Sequence, residues 1–351
     1  MTSTGVTSVQ FKRVFAVFGV MVAAIGSAAC GSSSDKGSSA TPTATADPHR
    51  HFDLQAHRGG RGMTIEESLP GFAKAIELGV STLELDIVLT KDKVPLIWHD
   101  PTVQAEKCAD TAPAFPDDPQ YPYVGKVIHD LTYDQVHTLD CGKKLAGFPE
   151  AQELPANKIA RLPELFDLVK TYPGAFDTVR YNVETKLEAE HPEQSATPEE
   201  FVQVILDAVA AADASDKVEI QSFDWRSLPL VKAKYPAMPT VALYDDSTFK
   251  PNSRWLGPVR YEDHAGDPLG AIKALGANIS SPDYKTVASP AEYVRKAHDL
   301  DLTVVPWTVN EKSDIAAVLD EGYDGIITDY PNRAREVMRD KGYPLPMSFH
   351  K

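Results

Sequence analysis

Residues 82–89, TLELDIVL, decide the fold because they read as a buried strand that carries two carboxylates. Leu83, Leu85, Ile87, Val88 and Leu89 have the apolar and β-branched character of a strand inside a protein, where an ionised carboxylate is costly unless paired or coordinated. Side chains alternate along a strand, so Glu84 and Asp86 share one face, with Cα atoms roughly 6–7 Å apart. That geometry suits a bound cation. The next connection, TKDK at 90–93, is too short for the crossover that a parallel pair requires, so TLELDIVL and VPLIWHD (94–100) form an antiparallel hairpin. Centring the turn on Lys91–Asp92 pairs Thr90 with Lys93 and sets Glu84 opposite His99, to within one residue of slip.

Outward from this hairpin, strand-like runs alternate with amphipathic helical segments. FDLQAH precedes it, followed by PGFAKAIELG closed by Gly79; after it come RYNVETK, VEIQSF, TVALYD, ANISSP, LTVVPWTVN and DGIITD, with helices such as EEFVQVILDAVAAAD and PAEYVRKAHDL between them. Alternation over roughly 300 residues defines an α/β protein and fits a TIM (β/α)8 barrel, with at least one strand-like run outside the eight. An open doubly wound sheet would carry GxGxxG after its first strand, whereas this chain has HRGGRGM. Residues 101–155, rich in Pro and Asp, read as a segment inserted after the hairpin over one end of a barrel domain spanning residues 51–351.

The formal net charge of −15 argues against nucleic acid or an anionic membrane surface as the main partner, since both select clustered Lys and Arg. Residues 1–30 have the form of an export signal: Lys12–Arg13, an apolar run too short to span a bilayer comfortably, and small residues before Cys30. They resemble a bacterial lipoprotein signal with Cys30 as the lipidated residue, although Ser27 stands where Leu is usual. Cleaved or retained as an anchor, the segment places the remainder outside the cytoplasm, as an envelope lipoprotein on the outer face of the cytoplasmic membrane or as a secreted protein. Membrane association is then expected only through this N-terminal anchor. Residues 31–50 are Ser, Thr, Pro and Gly with almost nothing to bury, the composition of a flexible linker. Cys108 and Cys141, the two cysteines left, most simply form a disulfide in an oxidising compartment, and they lack the close spacing of a zinc site.

Polar residues cluster at strand C-termini, where barrels of this kind build their sites: His57 and Arg58, Glu184 and Lys186, Gln221, and Trp307. Oxygen-only acids favour a hard cation, Ca²⁺ or Mg²⁺, with Glu184 as the third ligand beside Glu84 and Asp86.

Taken in order, HRG (57–59), EES (66–68), AIELG, LELDIVLTKD, HD (99–100), VETK, QSF, PWTVN and GIITD resemble the bacterial glycerophosphodiester phosphodiesterases from about Gln55 to Pro331. The resemblance implies a TIM barrel of the phospholipase C-like phosphodiesterase type with an inserted segment. It also implies one divalent cation and hydrolysis of a small glycerophosphodiester to sn-glycerol 3-phosphate and an alcohol. By position, His57 and His99 become the general acid and base, Glu84, Asp86 and Glu184 the metal ligands, and Arg58, Lys186, Gln221, Trp307 and Glu66 the substrate and phosphate contacts. Two positions depart from the family: Glu67 replaces the usual Asn, bringing a negative charge near the phosphate unless it points away, and Lys93 replaces the Gly that commonly ends the hairpin turn. Phospholipase D-like or phosphoinositide phospholipase-like activity on intact lipids is the neighbouring enzymatic alternative. Binding of a phosphorylated ligand without turnover is the other, and it would need neither proton donor nor base.

Overall fold

The structure, a computed structural model, describes residues 51–351 apart from Ala265. The expected export signal, Cys30 and the linker lie outside the described residues.

Among the described residues are nine strands: β1 (Asp53–Ala56), β2 (Thr82–Leu89), β3 (Pro95–Ile97), β4 (Arg180–Thr185), β5 (Val218–Ser222), β6 (Thr240–Tyr244), β7 (Ile279–Pro282), β8 (Thr303–Val304) and β9 (Gly325–Thr328). Eight run parallel in the order β8-β7-β6-β5-β4-β2-β1-β9, and β3 lies off this path, paired with β2. The remaining seam is closed by backbone hydrogen bonds from Asp324 N to Val304 O, 3.0 Å, and from Ile327 N to Pro306 O, 2.9 Å. The result is a TIM barrel. β3 is the strand outside it, because the four-residue connection leaves no room for a helix.

β2 shows why the chain folds this way. All eight of its residues are buried. Leu83, Leu85, Ile87 and Leu89 face outward into the main core beneath the helices, which includes Phe72, Ile76, Leu165 and Phe166. Each such side chain contributes about 1.5–3 kcal/mol by leaving water. The alternate residues Thr82, Glu84 and Asp86 therefore point into the barrel. The first helix, Leu69–Leu78, begins where Ser68 Oγ accepts a hydrogen bond from Gly71 N, and ends at Gly79 with φ of 92°.

The hairpin corrects the expected register by one residue. Ile87 pairs with Ile97 and Leu89 with Pro95, so Thr90 meets Val94 and not Lys93. The cause is a three-residue loop in which Lys93 adopts φ of 63° while its N–H donates to Thr90 O. A left-handed lysine costs about 1 kcal/mol, and the extra residue it accommodates moves the partner strand along by one. Trp98, the neighbour of His99, therefore sits across from Asp86, through a Trp98 N to Asp86 O bond, and the same register sets Leu85, not Glu84, against His99.

Residues 101–155 pack a second apolar cluster against the hairpin, with Val103, Tyr123, Ile128 and Leu139 around Trp98 and Leu96. Cys108 and Cys141 are joined in a disulfide within it.

The barrel interior is split into halves. Val241, Ile279, Val305 and Ile327 make an apolar side. Opposite them lies a polar side of Gln55, Glu84, Asn182, Glu219 and Gln221, all buried and linked by hydrogen bonds such as Asn182 Nδ2 to Gln55 Oε1, 2.8 Å. Glu219, in the lower layer, accepts from Gln55 Nε2, and burial together with the nearby Asp53 raises its carboxyl to about 8 against the pull of Arg180. A raised acid keeps its proton in the folded chain and loses it in the unfolded chain, so stability falls as pH climbs between about 4.5 and about 8. Glu219→Gln is expected to keep the hydrogen bond and flatten that fall, which is about 1.4 kcal/mol per pH unit for one group. Thermal unfolding at pH 5.5 and 8.5 checks it: parallel curves for the two proteins would remove the assignment.

Candidate active site

On β2 and near the C-terminal end of β4, Glu84, Asp86 and Glu184 each bring a carboxylate oxygen within 4.8 Å of the others, and all three are buried. The register explains the gathering, since Asp86 lies directly beside Glu184 across the β2–β4 ladder and Glu84 sits one inward position below. Burial and the charge of Asp86 push Glu84 well above the usual carboxylate range. Burial also raises Glu184, to about 8, with Lys186 pulling against it and Asp86 adding to it. Asp86 stays well below its ordinary value despite burial, because Arg58 and Lys186 face it. Asp86 Oδ2 accepts no hydrogen bond, since Arg58 Nε approaches to 3.0 Å but off the line a bond requires. Three crowded, buried, oxygen-only donors with one oxygen unsatisfied fit a hard divalent cation.

Each histidine is backed by an aspartate. His57 Nδ1 lies 2.6 Å from Asp329 Oδ1, and its Nε2 lies 4.0 Å from Glu84 Oε2. His99 Nδ1 lies 3.0 Å from Asp100 Oδ1. Burial lowers the His57 imidazole, partly offset by Asp329. Burial, Lys186 and Arg58 hold His99 down at about 4 against Asp86 and Asp100. An Asp on Nδ1 fixes the tautomer and leaves Nε2 for chemistry.

Arg58 occupies the left-handed region, φ 51°, which turns its N–H onto Glu84 Oε2 at 2.9 Å while its guanidinium meets Glu66 at 3.2 Å. Lys186 Nζ lies 2.9 Å from Glu184 and above the Phe223 ring. His57, Arg58, Arg61, Glu84, His99, Glu184 and Lys186 form one wall of a cavity of about 230 Å³. Phe223, Leu243, Trp307 and Ile327 form the other. Trp307 is fixed by its Nε1 to Ser281 O bond, 3.0 Å, and by the edge of Phe223. A larger depression of about 430 Å³ beside residues 244–249 and 286–296 has no histidine in its lining, so chemistry and not size picks the site.

Two residues expected to face the substrate stand behind the wall. Gln221 is buried and donates from Nε2 to Glu84 Oε1 at 2.5 Å, because its position on β5 places it under the carboxylates. Glu66 is buried among Arg58, Arg61 and Lys107, which hold its carboxyl at about 2 against the effect of burial. Glu67 points away from the cavity: its Oε1 accepts from Asp86 N at 3.2 Å, and burial and Asp86 raise its carboxyl well above the usual carboxylate range. Asp329, Asp100, Arg61 and Lys107 were not singled out as site residues from sequence. For two of them a signal existed, in the final residue of GIITD and the second of HD.

Fold and site together define an α/β-barrel enzyme with a phosphodiesterase-type mouth. Residues 57–333 match the glycerophosphoryl diester phosphodiesterase family, and the chain belongs to that family of phosphoric diester hydrolases. A glycerophosphodiester phosphodiesterase from Caldanaerobacter subterraneus subsp. tengcongensis is 25% identical over 82% of this chain and 98% of its own. A family structure from Silicibacter pomeroyi DSS-3 superposes with a TM-score of 0.71 at 29% identity, covering 85% of this chain and 96% of that one. An Oleispira antarctica phosphodiesterase, solved with the product sn-glycerol-3-phosphate, shares the fold with a TM-score of 0.61 at 17% identity, over 82% and 96% of the two chains.

Proposed function

We propose that the protein hydrolyses small glycerophosphodiesters to sn-glycerol 3-phosphate and an alcohol, with His57 and His99 dividing the proton transfers. The observation that carries this reading is that two Asp-backed imidazoles open onto the same cavity as Glu84 and Glu184 of the carboxylate cluster. A divalent cation held by Glu84, Asp86 and Glu184 would supply charge stabilisation on the phosphate oxygens. His57, beside Glu84, takes the proton from the attacking oxygen, a water or the glycerol 2-hydroxyl. His99 gives its proton to the departing alkoxide as the P–O bond to the head group breaks. Where the 2-hydroxyl attacks, water then opens the cyclic phosphate with the two roles exchanged. A bound phosphodiester anion near Lys186 and Arg58 offsets the cations that hold free His99 down, and so restores its hold on the proton.

The cavity volume supports a glycerol phosphate unit with its carbon face on Phe223 and Trp307, leaving an acyl chain outside. The Cys108–Cys141 disulfide supports an exported protein, lipidated at Cys30 or secreted. The test is release of sn-glycerol 3-phosphate by the purified chain from glycerophosphocholine, glycerophosphoethanolamine and diglycerol phosphate, with release of choline from lysophosphatidylcholine followed in parallel. Turnover of the water-soluble diesters is expected. Turnover confined to the lysophospholipid, or none, would overturn the reading.

A further inference from the structure

The inserted segment enters the ion pairs of the site through Lys107. Lys107, buried in the 101–155 segment, places Nζ 2.5 Å from Glu66 Oε1 and in a short contact with Asp100 Oδ2. Its ammonium also lies 5.2 Å from the centroid of Trp98. Glu66 holds Arg58 and Arg61, Arg61 Nε donates to Asp329 at 2.7 Å, and Asp329 holds His57. On the other side Asp100 holds His99. The ion pairs thus form one chain from His99 through Asp100, Lys107, Glu66, Arg61 and Asp329 to His57. Lys107 is its member from the inserted segment.

The backbone that presents Lys107 is clamped. Lys107 N and Cys108 N both donate to Gln104 O, at 3.1 and 2.9 Å. Lys143 Nζ donates to Ala105 O at 2.8 Å and to Cys108 O at 2.7 Å. The next residue, Cys108, is cross-linked to Cys141. A flexible four-carbon stem is a poor ruler unless its root is fixed, and here the fold fixes it.

We propose that Lys107 is a positioning residue for the hydrolysis, holding Asp100 so that His99 presents its Nε2 to the substrate, and that the inserted segment serves catalysis by delivering it. The inference rests on the function proposed above. Removing the cation leaves Asp100 free to rotate, so the loss falls on turnover more than on binding.

The test uses the full chain and glycerophosphocholine. Lys107→Met is expected to lower kcat by about 10- to 100-fold, the usual range for a lost supporting contact, with KM changed less than about threefold. Lys107→Arg, which keeps the charge, is expected to recover most of the loss. Asp100→Asn should lose a comparable amount, and Lys107→Met/Asp100→Asn no more than Asp100→Asn alone, since the lysine acts through the aspartate. Wild-type-like kcat in Lys107→Met, or losses that multiply in the double variant, would overturn the proposal. Where Lys107→Met does not fold, the double variant, which removes cation and partner together, is compared with Asp100→Asn: equal turnover supports the role, and a further tenfold loss defeats it. Failure of the wild type to hydrolyse the substrate would instead strike the function itself.

Discussion

His99→Ala is expected to cost at least about 100-fold in kcat on glycerophosphocholine, where the departing choline alkoxide needs a proton. On a glycerophosphodiester with a p-nitrophenyl leaving group, which departs as a stable anion, the same variant should retain most of the wild-type rate of p-nitrophenolate release in the first turnover. His57→Ala is expected to lose a comparable factor on both substrates, because deprotonating the nucleophile is required whatever leaves. The reasoning is geometric. His57 Nε2 lies 4.0 Å from Glu84, beside the acidic cluster, whereas His99 is anchored on the hairpin through Asp100. A His99→Ala loss that is equal for both leaving groups would reverse the assignment, and no loss in either variant would remove the two-histidine mechanism.

The second large effect concerns the carboxylates. Without a cation, burial and the repulsion of Asp86 raise both Glu84 and Glu184, which favours their protonated forms. A divalent cation removes the need for those protons. Excess EDTA is therefore expected to abolish turnover, with Ca²⁺ or Mg²⁺ restoring it. The unfolding temperature should rise on adding the effective ion, equivalent to about 2.7 kcal/mol at a hundredfold excess over Kd. Glu184→Gln removes one anionic ligand, so turnover and the ion-dependent shift should both vanish, while the metal-free chain becomes no less stable. Full turnover in EDTA, or an ion-dependent shift unchanged in Glu184→Gln, would rule out the cluster as the binding site.

Within the fold, what local pattern can decide was legible. Period-two alternation in TLELDIVL puts Glu84 and Asp86 on one face irrespective of what surrounds them, and apolar residues on the other face choose which side is buried. The short connection to VPLIWHD makes a hairpin because no parallel crossover fits in four residues. The hairpin register was harder: one left-handed lysine in the loop shifts it, and no pattern of apolar residues records that torsion. The placement of Gln221 and Glu66 behind the cavity wall was hidden for a related reason, since motif position says which strand end a residue occupies and not whether its tip reaches the cavity or stops at a neighbour.

The sequence by itself determined the alternating α/β order, the carboxylate face of β2, the cysteine pair and the two histidines near strand ends, all features set within about ten residues or by elimination. Only the tertiary structure decided that Asp329, 272 residues from His57, becomes its partner, and that Lys107 joins the two halves of the site. The physical reason is closure: β9 comes to lie against β1 when the barrel completes its circuit, and the inserted segment finds its place when its apolar cluster packs on the hairpin. Such meetings depend on the summed packing of the whole chain, which no single stretch contains.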